Sequence, residues 1–300
     1  MQPPATQPVI NLVVTDLDNT LWDWFGAWYS SFSALLNEVS RLSGVPTPAL
    51  EEEARKVHQR RRTTEYSYLL NEIPSLLALS KNPLMTYDKA LHAQNSARKE
   101  STRLYPGVLT TLETIRAAGV PIVGYTESLS FWTEWRIRTL ELDGVLAALY
   151  SSPDHDLPDG VSFEDLRTQD PEHYGLKLTP HEHVAAGTEK PSVAILNEII
   201  QTFGARPATT LYIGDSLIKD VAMAQAAGAH DAHAAYGQVQ HLPEYALLRR
   251  VTHWTDELVE KERRATERAG VVTPTHVLDR GLDQLLTMFA FEGAADDTAP

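Results

Sequence analysis

Three short apolar runs constrain this chain most, because each ends on residues that a buried strand has no use for. VINLVV (9–14) leads into Asp16, Asp18 and Thr20. PIVGY (121–125) leads into Thr126, Glu127 and Ser128. The run at 209–213 leads into Gly214, Asp215 and Ser216, with Asp220 a turn later. Short β-branched runs closed by polar residues predict strands buried on both faces. Between them the apolar spacing becomes helical, as in SVAILNEIIQTFG (192–204), where Gly204 is a stop signal. Further short strands are predicted within 141–152, before Gly237 and at PTHVLD (274–279). The alternation predicts an α/β fold: a Rossmann-like parallel sheet with helices on both faces. Ligands of such sheets sit outside the carboxyl ends of the strands. The polar residues above therefore fall where a ligand would be met.

Lys190, followed by Pro191, precedes the helix at 192–204. Three carboxylates, a hydroxyl and an ammonium would thus share one edge of the sheet. Carboxylates that close are unfavourable unless a cation neutralises them. Hard oxygen ligands with open positions suit Mg²⁺, usually bound by one or two carboxylates and substrate phosphate. One carboxylate can attack phosphorus, and a second carboxyl can protonate the leaving oxygen. Thr126 and Lys190 can hold the transferred phosphoryl group.

DLDNT, the strand ending in Thr126, Lys190-Pro191 and IGDSLIKD resemble, in order, the four motifs of the haloacid dehalogenase superfamily in its phosphatase branch. The resemblance covers about residues 8–21 and 105–237. It implies that Asp16 is the nucleophile and Asp18 the acid/base. It implies that Asp16, the Asp18 carbonyl and Asp215 bind Mg²⁺. Thr126 and Lys190 would hold the phosphate, with Glu127 beside them, and Asp220, Thr20 and Ser216 would support the site from behind. The implied organisation is a core of 1–21 and 105–300, carrying a long insert at about 151–188, and a helical C1-type cap of 22–104. In that cap segment, periodicities such as WYSSFSALLNEVSRL are helical and strand signals nearly vanish.

The expected activity is Mg²⁺-dependent hydrolysis of a small phosphorylated metabolite through an aspartyl-phosphate. A phosphomutase or a protein phosphatase of the same superfamily uses the same motifs, and a non-catalytic module retaining the fold is a reading of another class. A dehalogenase would not need Asp18. Arg60, Arg61 and Arg62 and Trp22 are candidate cap contacts to substrate, weighed against a solvated helix face for the arginines and packing at the core–cap junction for the tryptophan.

Composition narrows the rest. A net charge of −14 argues against nucleic-acid or anionic-membrane partners. The absence of Cys excludes disulfides and cysteine nucleophiles. No run approaches a membrane span and the N-terminus lacks signal-peptide features, so a cytoplasmic protein is expected. His181, Glu182 and His183 lack the spacing of a zinc helix. Two features depart from the family pattern. Residues 151–190 are expected to be a long loop with one short helix, shaping the substrate entrance. Glu127 stands where a small or amide residue is more usual, and is expected to repel a second anionic group. The stretch THWTDELVEKERRATERAG suggests an added helix, and both termini are expected to be disordered.

Overall fold

The computed structural model describes residues 7–154, 157–255, 257, 260, 264 and 272–293. The expected first strand divides at Asn11 into β1 (Val9–Ile10) and β2 (Leu12–Thr15). Then follow α1 (Trp24–Ser43), α2 (Thr47–Arg61), α3 (Pro74–Leu79), α4 (Pro83–Thr86), α5 (Asp88–Ser101) and α6 (Val108–Ala117). Next come β3 (Ile122–Leu129), α7 (Ser130–Thr139), β4 (Ala148–Ser152), α8 (Phe163–Leu166), β5 (His181–His183) and α9 (Val193–Thr202). The chain continues through β6 (Thr210–Gly214), α10 (Ala222–Ala227), β7 (His230–Ala234), α11 (Tyr245–Val251), β8 (His276–Leu278) and β9 (Ala290–Phe291).

Seven strands form one parallel sheet in the order β5-β4-β3-β2-β6-β7-β8, with β2 at its centre, while β1 pairs with β9 apart from it. The period of two sorts the central side chains. Val13, Leu211 and Ile213 pack with Val108, Leu112 and Ile115 of α6 on one face. Leu12, Val14 and Tyr212 pack with α9 (Leu196, Ile199, Ile200) and α10 (Met223, Ala224) on the other. A slip of one residue would exchange the two sets, so burial on both faces fixes register. The register sets Thr15 beside Gly124 and Ile213, so Asp16, Thr126 and Asp215 follow within two residues of one level of the sheet, while β3 itself runs on to Leu129.

The helices from α1 to α5 build a cluster of their own, with Phe25, Trp28, Phe32, Leu35, Leu50 and Val57 buried in it. It is not closed by that segment alone. Val239, Tyr245, Leu247 and Val251, from the far end of the chain, complete it. Arg250 pairs with Glu51 at 2.5 Å, and His58 Nδ1 meets the Val251 carbonyl at 2.6 Å. Gly26 lies in the first turn of α1 and its N–H donates to Asp23, the N-cap.

The 151–190 insert contains the expected short helix, α8, but is not otherwise a plain loop. His181, Glu182 and His183 form β5, which pairs with β4 and extends the sheet. Three polar residues carry no strand signal, so local sequence could not reveal it. Asp143 creates the approach by accepting the backbone N–H groups of Lys177, Leu178 and Thr179. The strand expected at 274–279 is β8. Most of the suggested helix at 252–270, and most of both termini, lie outside the described residues.

Candidate active site

Asp16 follows β2 directly, and its N–H donates to the Ile213 carbonyl at 2.8 Å, which fastens it beside β6. Its carboxylate accepts Lys190 Nζ at 2.6 Å and Thr20 Oγ1 at 3.3 Å. Lys190 Nζ also meets Asp220 at 3.0 Å, and Tyr212 and the Ser216 N–H donate to Asp220. Gly214 makes this fold-back feasible, since a Cβ there would fall 2.3 Å from the Asp220 carboxyl carbon. Ser216 starts the following turn, its hydroxyl accepting the Lys219 N–H. Thr20 thus bonds to Asp16, Asp220 bonds to Lys190, and Ser216 bonds to Asp220 through its N–H.

Carboxylate oxygens of Asp16, Asp215 and Asp220 lie within 4.8 Å of one another. Burial pushes Asp16 up to about 7 despite the opposing pull of Lys190. Burial, and then the charge of Asp16, raise Asp215 well above the carboxylate range. Burial pulls the Lys190 ammonium down, but Asp16 and Asp220 hold it well above its usual value. One ammonium thus stands among three carboxylates, two of them buried, and the excess negative charge with all-oxygen donors fits a hard divalent cation such as Mg²⁺. The Asp18 carboxylate is engaged elsewhere and is not part of this cluster.

Asp18 receives Trp22 Nε1 at 2.6 Å on one oxygen and the Ser128 hydroxyl on the other, and Arg136 stands 3.9 Å away. Burial raises its pKa and Arg136 opposes the rise. Trp22 is buried in the core cluster and holds Asp18, so the structure corrects its reading as a substrate contact. Thr126 and Ser128 owe their aim to β3, whose pairing with β4 shifts register between Tyr125 and Leu129. Such irregularities redirect side chains at strand ends. Thr126 Oγ1 accepts the Ser128 N–H at 3.1 Å. Glu127 is turned from the expected direction: one oxygen takes the Lys190 N–H and the other Lys219 Nζ. Its charge is spent on these two donors rather than directed at a ligand.

The arginine run is also corrected. Arg60 and Arg61 both meet Glu72 at 2.5 Å, and Arg62 turns the end of α2 at φ 56°. Among the described residues lining the cavity beside the helical segment, none of the three occurs. That cavity holds about 340 Å³ and is lined by Trp28, Glu65, Tyr68, Arg98, Trp132 and Asp165, among others. The insert contributes Asp165 to the wall.

Sequence reasoning missed the link between this cavity and the acid pair. Glu65, beyond α2, bonds Arg136 of α7, and also takes Trp24 Nε1 at 3.2 Å. Its carbonyl accepts Trp132 Nε1 at 3.0 Å. Burial raises Glu65, but Arg136 overrides it and holds the carboxylate below its usual range. No local pattern pairs residues 65 and 136.

A family model for haloacid dehalogenase-like hydrolases matches residues 10–228, well over half the chain. The chain belongs to the haloacid dehalogenase-like hydrolases. Solved structures that resemble this hydrolase include a predicted phosphoglycolate phosphatase from Haemophilus somnus 129PT, at 15% identity and TM-score 0.49, covering 95% of this chain and 99% of that one. A 2-haloacid dehalogenase from Pseudomonas syringae pv. tomato DC3000 aligns at 21% identity and TM-score 0.48, over 85% of this chain and 99% of the other. A haloacid dehalogenase-like hydrolase from Xanthomonas campestris aligns at 15% and 0.48, over 87% and 97%. Likeness at this level carries no argument about substrate. No curated protein matches the sequence significantly. Among the described residues no helix is long and apolar enough to cross a membrane.

Proposed function

We propose that this hydrolase is a Mg²⁺-dependent phosphatase acting on a small phosphorylated metabolite, with residues 22–104 as the cap over its site. The observation that carries the reading is Asp18, a second, part-buried carboxyl two positions from Asp16, held by Ser128 and Trp22. Hydrolysis of a phosphate ester needs an acid for the leaving oxygen and a base for water, and one carboxyl can serve both in turn.

An Asp16 oxygen attacks phosphorus and the bond from phosphorus to the ester oxygen breaks. The departing oxygen takes the proton of the Asp18 carboxyl. Water then attacks the aspartyl-phosphate, giving its proton to Asp18, and inorganic phosphate leaves as the Asp16 carboxylate is restored. Lys190 and Thr126 hold the phosphoryl oxygens, and Lys190 keeps Asp16 aimed. A Mg²⁺ held by Asp16, the Asp18 carbonyl and Asp215 supplies charge neutralisation to the crowded carboxylates and the phosphoryl group. The cap limits access of bulk water and selects the leaving group.

The test is phosphate release from phenyl phosphate with Mg²⁺, by the wild type and by Asp16→Asn. The reading expects turnover in the first and a loss of at least ~10³-fold in the second, because an amide is a poor nucleophile. Equal rates would defeat it.

A further inference from the structure

We propose that the cavity under the cap receives the leaving group of the substrate, and that Arg98 pairs there with a second anionic group, a carboxylate or a phosphate, on that leaving group. This rests on the phosphatase reading of the Asp16 site and adds the class of ester.

Arg98 lies on α5 and is 8% exposed. Its guanidinium stacks over the Trp132 ring at 4.0 Å and makes one hydrogen bond, to Asn95 Oδ1 at 2.8 Å. Among the described residues no carboxylate lies within ion-pair distance of it. The contrast with Arg136 is direct. Arg136 is as deeply buried and keeps Nε and Nη1 without a hydrogen-bond partner, but its charge is balanced by Glu65, bonded to it, and by Asp18 at 3.9 Å. Glu65 also stands near Arg98, yet its two oxygens are committed to Arg136 and Trp24. A buried guanidinium carries five donors and a heavy desolvation cost, which a carboxylate or phosphate offsets best in fork geometry. Burial lowers the Arg98 pKa to about 10, which leaves it cationic at neutral pH.

The cavity supplies the rest of the recognition. Trp28, in its wall, has a buried Nε1 without a hydrogen-bond partner, so a second donor there awaits an acceptor. Tyr68 and Trp132 give apolar walls to the body of the ligand. About 340 Å³ suits a small metabolite. The position suits a leaving group as well. Glu65 lines the cavity and bonds Arg136, whose other terminal nitrogen faces Asp18. One ion pair separates the cavity from the residue that protonates the leaving oxygen.

The experiment compares kcat/KM for 4-carboxyphenyl phosphate, 1,4-phenylene bisphosphate and the methyl ester of the first, which is uncharged at the distal end but similarly electron-withdrawing. The 4-(carboxymethyl)phenyl phosphate and its methyl ester vary the reach. The wild type is expected to favour at least one doubly anionic substrate by about tenfold, the scale of one charge-assisted hydrogen-bonded pair. Arg98→Gln is expected to bring that ratio to about one, and Arg98→Lys to restore part of it. Preference for the carboxylate or for the bisphosphate assigns the anion. Wild-type turnover of all these esters without preference overturns the proposal and leaves the phosphatase reading intact. If none is hydrolysed, the phosphatase reading fails, and calorimetric binding of the same compounds to the Asp16→Asn protein decides separately. Tighter binding of the charged member supports the Arg98 contact, and equal binding overturns it. The wild-type ratio stands even if Arg98→Gln does not fold.

Discussion

The Glu127 carboxylate accepts the backbone N–H of Lys190 at 2.7 Å, so the end of β3 holds the loop that delivers the active-site ammonium. Its second oxygen takes Lys219 Nζ at 2.6 Å, and thereby gathers the turn that follows β6 as well. Three strand-end segments are joined through one side chain. Glu127→Ala should free the Lys190 loop and lower kcat/KM by about tenfold or more, the scale of a lost hydrogen bond involving a charged group. Glu127→Gln keeps an acceptor for the Lys190 N–H and should recover most of the loss. Steady-state kinetics of the two variants checks this, and an alanine variant equal to wild type would refute it.

Asp18→Asn should slow turnover by about 10²–10⁴-fold, the usual yield of general acid–base catalysis. The loss in forming the aspartyl-phosphate should shrink as the leaving group becomes more acidic, because a good leaving group needs no proton. Single-turnover rates across phenyl phosphates of graded leaving-group pKa read this directly. A loss independent of leaving group would remove Asp18 from the acid role.

Mg²⁺ should stabilise the folded protein by mass action, about 2.7 kcal/mol at a hundredfold excess over Kd. Asp215→Asn should abolish most of that shift by removing one of the crowded carboxylates. Thermal denaturation with and without MgCl₂ measures both, and an unchanged wild-type Tm in millimolar Mg²⁺ would contradict the assignment. Ca²⁺, which takes more ligands in looser geometry, should compete and inhibit.

His58 and His253 are both pulled down to about 4, chiefly by burial. An unfolded histidine titrates near 6.5, so between about 6.5 and 4 the unfolded chain binds protons that the folded one refuses. The resulting stability is full above the unfolded value and is lost as pH falls through the folded one. For His58 the whole effect is on the order of 3 kcal/mol. Urea midpoints of wild type and His58→Gln at pH 7.5 and 5 test it. The variant should show the shallower acid loss, and parallel slopes would rule the histidine out.

Arg60→Ala and Arg61→Ala should leave KM unchanged, since Glu72 rather than substrate occupies both guanidinium groups. The stability cost should stay near or below ~1 kcal/mol for the exposed Arg60. A large rise in KM for either would return the run to the substrate side.

The helical segment 22–104 is tied down at a place that its own sequence does not announce. Val251 and Tyr245 share its core, and the His58 contact to the Val251 carbonyl spans 193 positions. Any movement of this segment would have to carry α11 with it or expose that cluster, and a contact so distant leaves no periodicity to find.

The sequence by itself determined the parallel sheet and the polar residues at the ends of its motif-bearing strands. Each of those signals is local: an apolar run of strand length closed by Asp, Thr or Gly-Asp, or a helix ended by Gly. Asp16, Thr126, Lys190 and Asp215 followed because a parallel sheet brings its carboxyl ends to one edge. Tertiary structure alone decided where the remaining charges point. It turned Glu127 toward Lys190 and Lys219, gave Arg60 and Arg61 to Glu72, set Glu65 on Arg136 and left Arg98 with Asn95. It also made a strand of His181–His183, whose residues have no preference for one. Pairing energies depend on distances of a few ångströms between groups far apart in the chain, and no spacing along the sequence encodes such distances.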